Sequence, residues 1–163
     1  MSDFSIARAA TTRVSDPDLE DLLKRVYVVG GFTDASVGEA LFRAADVRAR
    51  GEVLVAQDAQ GNLIGTVIAV FPGSLACRFA GEGEAELHLL CVSQDHQRHG
   101  VGSALIEAAL ATARKAGARR MILWTQPSME AAQLLYSKHG FERVPELDFS
   151  RGERTFRVFA RSI

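Results

Sequence analysis

From Glu86 to Thr125 the chain reads as strand, helix and strand in direct succession, and no other stretch constrains the fold as tightly. Glu86–Val92 (ELHLLCV) and Arg120–Thr125 (RMILWT) are short and mostly apolar, as parallel strands covered on both faces should be. The run Gly102–Ala116 between them is apolar nearly all round, which predicts a largely buried helix, and Gly117 is placed to end it. Such a unit closes as a right-handed βαβ crossover.

The flanking segments add antiparallel strands. Ser5–Thr11 reads as a strand, and Asp16-Pro17 opens a helix through Asp18–Val29, with Leu19, Leu22, Leu23 and Val26 at helical spacing. After the loop Val29–Asp34, a second helix is expected over Ala35–Arg48, with Arg43, Arg48 and Arg50 on a solvated face. Val53–Gln57 and Leu63–Phe71 form a hairpin through the turn Asp58–Asn62. Downstream, Ser128–Lys138 is a helix closed by Gly140, and Glu142–Val144 and Thr155–Ala160 are the last strands. The expectation is an α/β (α+β mixed) fold, with a mixed sheet of about six to seven strands flanked by about four helices.

A chain of 163 residues buries a core without staples and makes one ordinary domain, 1–163. The net charge of −1 supplies no field toward nucleic acid or an anionic membrane. No apolar run approaches the ~20 residues of a membrane span, and the first residues carry no leader pattern. Cys77 and Cys91 sit in or beside apolar runs, so they read as reduced thiols of a cytoplasmic protein. Cys91, His96 and His99 do not make a zinc site, which wants four ligands in paired spacings; no metal is expected.

Between the first strand and the helix of the βαβ unit lies QDHQRHGVGSAL, Gln94–Leu105. Gly100 and Gly102 carry no Cβ, so a ligand can approach the backbone where the helix exposes free N–H groups and its positive dipole end. Arg98 and His99 add positive charge, and together these residues suit a pyrophosphate. A glycine loop that merely turns the chain would use the same residues. A dinucleotide fingerprint would need a glycine at Leu105, and a Walker loop would need Gly-Lys-Ser/Thr; neither is present.

Gln97-Arg98-His99-Gly100-Val101-Gly102 resembles the Gln/Arg-x-x-Gly-x-Gly/Ala signature of the Gcn5-related N-acetyltransferases (GNAT). Glu86–Val92 is similar to the family's fourth strand. Ala131–Phe141, with Tyr136 four residues before Gly140-Phe141, is similar to its late helix, although Met129 stands where many members have asparagine. The resemblance covers most of the chain. It implies an enzyme that moves an acetyl group from acetyl-CoA to a primary amine of a small molecule, by direct attack in a ternary complex. A non-catalytic acyl-CoA sensor of the same fold is the alternative. A homodimer is compatible with either.

By this resemblance the pyrophosphate lies against Gln97, Arg98, His99, Gly100, Val101, Gly102 and Ser103. The pantetheine arm and the oxyanion use the backbone of Leu90, Cys91 and Val92. Acetyl transfer also needs a base, because a free alkyl ammonium titrates near 10.4. Glu86 is the candidate, on one strand face with Glu84 and His88, which are its nearest substitutes; a water chain without a single owner is another. A buried salt bridge would place Glu86 equally well. Tyr136 is the candidate acid for the leaving thiolate, turned away from an expected buried stripe of Ala131, Leu134 and Leu135. Packing against the sheet is the other reading of Tyr136. The acceptor is expected near Tyr27, Phe32, Asp34 and Phe42. The acids at 82–86, Glu84 among them, favour a cationic compound: a small amine, an amino acid, an aminoglycoside-like molecule or a lysine.

Overall fold

The computed structural model describes residues 3–163 and contains eight strands and five α-helices. The strands are β1 (Phe4–Arg8), β2 (Glu52–Asp58), β3 (Leu63–Val70), β4 (Glu84–Val92), β5 (Arg120–Thr125), β6 (Glu142–Arg143), β7 (Phe149–Arg151) and β8 (Arg154–Ser162). The helices are α1 (Asp16–Tyr27), α2 (Ala35–Leu41), α3 (Ala44–Arg50), α4 (Val101–Lys115) and α5 (Glu130–Lys138). Hydrogen bonds order the sheet β1-β2-β3-β4-β5-β8-β6, with β7 paired to β8. Only β4 and β5 run parallel, and α4 crosses between them as the sequence predicts.

The sheet separates two apolar cores because side chains alternate along each strand. On β2, Leu54 and Ala56 pack toward α4, while Val53 and Val55 pack toward α1 and α3. Helix α4 contributes Leu105, Ile106, Ala109 and Leu110 to the first core, all fully buried. Helix α1 lays Leu19, Leu22 and Leu23 on the second. It starts where Ser15 Oγ accepts the Asp18 N–H (3.2 Å), with Asp16 and Asp18 in its first turn.

The element count exceeds expectation by one strand and one helix, for two physical reasons. Residues 149–151 are too short and polar to show a strand period, and they pair with β8 only because Gly152 (φ +63°) turns the chain. The helix expected over Ala35–Arg48 breaks at Phe42 and Arg43. There Phe42 is drawn fully into the core against Tyr27, and Arg43 turns extended. The freed N–H of Ala44 is taken by Glu20 of α1 (2.8 Å), so a distant carboxylate starts α3.

Glu20→Ala should therefore fray α3 and cost about 1 kcal/mol, the size of a lost helix cap. Urea unfolding of the two proteins checks this, and an unchanged midpoint would show that α3 does not depend on α1.

Candidate active site

Strand β4 carries one residue more than β3 between the pairs Thr66↔Cys91 and Ile68↔His88. Leu89 absorbs the extra residue with φ +50°, a strained conformation for a bulky side chain. The bulge reverses the facing of the strand. Leu87 packs toward α4, but beyond the bulge Leu90 and Val92 take that side and Cys91 turns to the α1 side. Parallel pairing of β4 with β5 stops at Glu86↔Ile122. Beyond it the strands part, and a cavity of about 820 Å³ opens at their carboxyl ends.

Glu86 does not reach that cavity. It is fully buried on the β4 face that meets residues 77–80. Its Oε2 accepts the N–H groups of Arg78 (2.9 Å), Phe79 (2.5 Å) and Ala80 (2.8 Å), with the Cys77 thiol at 3.4 Å. Its Oε1 meets Nε2 of His88 at 2.8 Å. Burial alone would raise its pKa. The bonds from His88, Ala80 and Phe79 outweigh that and hold it at about 2. A carboxylate so satisfied is a weak base.

His88 does line the cavity. An ionised Glu86 can only accept, so the proton between them belongs to His88 Nε2, and in the neutral ring the lone pair is on Nδ1. Nδ1 makes no hydrogen bond, and among the described residues no buried side-chain nitrogen or oxygen lacks a partner. Nδ1 is therefore open to the cavity. Trp124 from β5 packs edge-on against the imidazole, with centroids 4.7 Å apart.

Tyr136 also lines the cavity and is the one buried residue of α5. The stripe expected to be buried, Ala131, Leu134 and Leu135, is displaced: Ala131 and Leu134 face solvent, Leu134 at 70% exposure. Phe141 and Phe159 hold the tyrosine ring and draw that side of the helix inward. Burial, and then the neighbouring Cys91, raise the Tyr136 pKa, so the phenol keeps its proton. The Tyr27 hydroxyl donates to the Leu90 carbonyl (2.8 Å), whereas that of Tyr136 has no protein partner. Cys91 is raised to about 12 by burial, which leaves an inert thiol.

At the end of β4 the expected loop forms. Arg98 (φ +64°) and Gly100 (φ +85°) adopt left-handed conformations, and none of the backbone N–H groups from Arg98 to Ser103 meets a protein acceptor. Six donors at the start of a 15-residue helix make an anion cradle. A Cβ on Gly100 would meet nothing within 4 Å, so that face is open. Gly102 differs: its Cβ would lie 2.9 Å from Leu135 Cδ2, so this glycine lets α4 approach α5. Gln97 turns its amide back to the Val92 carbonyl (3.2 Å), and Val101 is core rather than lining. The Ser103 hydroxyl meets His139 Nε2 (3.0 Å), whose Nδ1 meets Glu107 (2.8 Å).

The acids near 82–86 do not face the cavity. Glu84 pairs with Arg120 (2.9 Å) at the far end of β4, and Glu82 is exposed in a turn. Phe32 and Asp34 do line it, with Tyr27 and Phe42. Sequence reading passed over Trp124, Gln126, Arg151 and Arg154, and assigned Arg50 to solvent; all five line the cavity. The position of Trp124 at the carboxyl end of a parallel strand was the one signal for it. Arg151 and Arg154 lie on the hairpin whose first strand had no period to read.

The acetyltransferase (GNAT) family model matches residues 17–141. The chain is 37% identical over 112 residues to a mycothiol acetyltransferase of Cellulomonas flavigena, covering 62% of this chain and 32% of that protein. It is 30% identical over 93 residues to N-acetyltransferase family 8 member 3 of Rattus norvegicus, covering 57% and 40%. The chain thus spans well under half the length of these curated relatives. In fold it superposes on an acetyltransferase from Streptococcus agalactiae with a TM-score of 0.78 at 15% identity, over 100% of both chains.

Glu86 generates a stability prediction. Its pKa is about 2 in the folded state against an ordinary 4.5, so between those values the unfolded chain binds more protons. The stabilisation is complete above about pH 4.5 and is lost as pH falls toward 2. Glu86→Gln should cost about 3 kcal/mol at pH 7, as breaking a buried charged pair does. Its stability should also fall less steeply with acid than the wild type's. Urea titrations at pH 7, 5 and 3 check both, and parallel curves would refute the depressed carboxyl.

Proposed function

Because the chain belongs to the GNAT acetyltransferase family, we propose that it transfers the acetyl group of acetyl-CoA to a primary amine bound in the cavity, with His88 as base and Tyr136 as acid. The reading rests on one placement: a bare imidazole nitrogen and an unpartnered phenol face the same cavity. The cradle of free N–H groups lies at the carboxyl end of the strand that carries the imidazole.

The residues divide the work as follows. The N–H groups of Arg98–Ser103 take the pyrophosphate, and the Arg98 and His99 side chains add charge. The pantetheine arm fits the gap where β4 has lost its neighbour, and a β4 N–H past the bulge meets the oxyanion. Near neutral pH roughly one alkylamine in a thousand is unprotonated. His88 Nδ1 takes the ammonium proton, and Glu86 stabilises the imidazolium that results. The amine nitrogen then bonds to the thioester carbon. As the C–S bond breaks, the sulfur takes the electron pair and the Tyr136 hydroxyl proton, and the second proton shed by the attacking nitrogen returns to the phenolate. Glu86 is a positioning residue, not the base suggested by its place on the strand.

Three variants test the assignment. His88→Gln should lower kcat/KM by 10²–10⁴-fold, the usual size of a general-base loss. Adding Glu86→Gln to it should cost little more, because the two act as one unit. Tyr136→Phe should keep the acetyl-CoA Kd, change stability by about 1 kcal/mol or less, and lower kcat. A wild-type rate for Tyr136→Phe across pH 6–10 would make the tyrosine packing alone.

The cradle is tested separately. Gly100→Val projects a side chain into the open face and strains the left-handed turn at φ +85°, and should weaken acetyl-CoA more than tenfold, about 1.4 kcal/mol. Acetyl-pantetheine, which lacks the pyrophosphate, should be used equally well by both proteins. Equal loss with both donors would refute the phosphate role.

A further inference from the structure

Two arginines in the cavity make no ion pair among the described residues. Arg50 ends α3 and Arg151 stands at the end of β7, and both line the cavity that holds His88. Among the described residues neither is ion-paired, in contrast to Arg8, Arg25, Arg48, Arg120, Arg143 and Arg154. The one side-chain bond of Arg50 is Nη2 to the Leu41 carbonyl at 3.3 Å. Arg151 makes none, and its guanidinium lies 5.9 and 6.0 Å from the ring centroids of Phe149 and Phe156.

The Arg50 backbone is tightly held. Its carbonyl accepts the Ser74 hydroxyl at 2.7 Å, and a Cβ on Gly51 would lie 2.1 Å from the Ala69 carbonyl oxygen. The backbone from which the guanidinium reaches the cavity is thus fixed. Burial lowers its pKa first; Tyr27 and Asp46 oppose that, and the charge of nearby Arg151 adds to it. Arg50 is half-buried and Arg151 exposed at the rim, and two like charges so placed disfavour each other until an anion joins them. Of the cavity's carboxylates, Asp34 is engaged by Arg154 (3.4 Å) and Glu153 sits in the β7–β8 turn. Three guanidiniums against two carboxylates leave the cavity net positive.

We propose that the acceptor is a primary amine that also carries a carboxylate, and that Arg50 and Arg151 hold that carboxylate while the amine faces His88. This rests on the acetyl-transfer reading above and names its substrate class. Planar guanidiniums match the two oxygens of a carboxylate. Phe32, Phe42, Trp124 and Phe156 line the same cavity, so the body that bears the amine and the carboxylate is apolar, as in an amino acid with a large hydrocarbon side chain. The cationic acceptor expected from the acids at 82–86 loses its basis, since those acids lie elsewhere.

Trp124 is the single tryptophan and lines the cavity, so its fluorescence reports binding without turnover. The probes are N-acetylphenylalanine, its neutral carboxamide, and a phosphate monoester of the same body. The carboxylate should bind at least tenfold more tightly than the amide. Arg50→Gln and Arg151→Gln should each remove most of that difference and leave amide binding unchanged, and Arg50→Lys should restore part of it. A carboxylate that binds no better than the amide overturns the proposal, as does a preference that survives both Gln variants. Tighter binding of the phosphate ester overturns the carboxylate assignment. Acetyl transfer to phenylalanine and phenethylamine is measured separately. A protein that binds the acids through these arginines yet acetylates neither amine would refute the acetyl-transfer reading, not the arginine site.

Discussion

The site depends on one extra residue in β4. Leu89 at φ +50° lengthens that strand by one against β3, and three consequences follow from that bulge. Pairing with β5 ends, so the sheet opens without losing its outer strands. The facing of the strand reverses, so Cys91 becomes core while Leu90 borders the gap. The Leu90 carbonyl, left by the sheet, is taken up by Tyr27. Backbone strain of this kind costs of order 1–3 kcal/mol, and here the cores on both faces hold it in place.

The second constraint is a charge that the fold has removed from water. Glu86 would be prohibitively costly at zero exposure without its donors, and three successive N–H groups of residues 78–80 meet it. The carboxylate then has one oxygen left for His88, and this fixes the imidazole tautomer. A buried carboxylate one strand repeat from a histidine decides which of the two ring nitrogens can carry the lone pair of the neutral ring.

The molecule keeps its free backbone donors and its cavity wall on different parts of the chain. The N–H groups of Arg98–Ser103 belong to the β4–α4 junction, formed by residues close in sequence. The cavity wall is gathered from α1, the loop at Phe32, the end of α3 and the β7–β8 hairpin. Glu20, by starting α3, and Ser74, by holding the Arg50 carbonyl, place a cation that local sequence would leave in solvent. A cradle of backbone groups admits many side chains around it. An acceptor site made of side chains changes with each substitution, which is why 15% identity preserves the fold without specifying an acceptor.

The sequence by itself determined the βαβ crossover, the loop with Gly100 and the helix behind it, because period, glycine and spacing are local signals, and it offered Glu86 as base, with His88 only as a substitute. Only the tertiary structure decided which of two residues on one strand face lines the cavity. Glu86 and His88 have the same facing, and the difference arises from residues 77–80, which fold over one and stop short of the other. The break at Phe42, the strand at 149–151 and the placement of Arg50 and Arg151 were likewise decided by contacts between segments distant in the chain. A carboxylate's role depends on how many donors reach it, and that number exists only once the chain has closed around it.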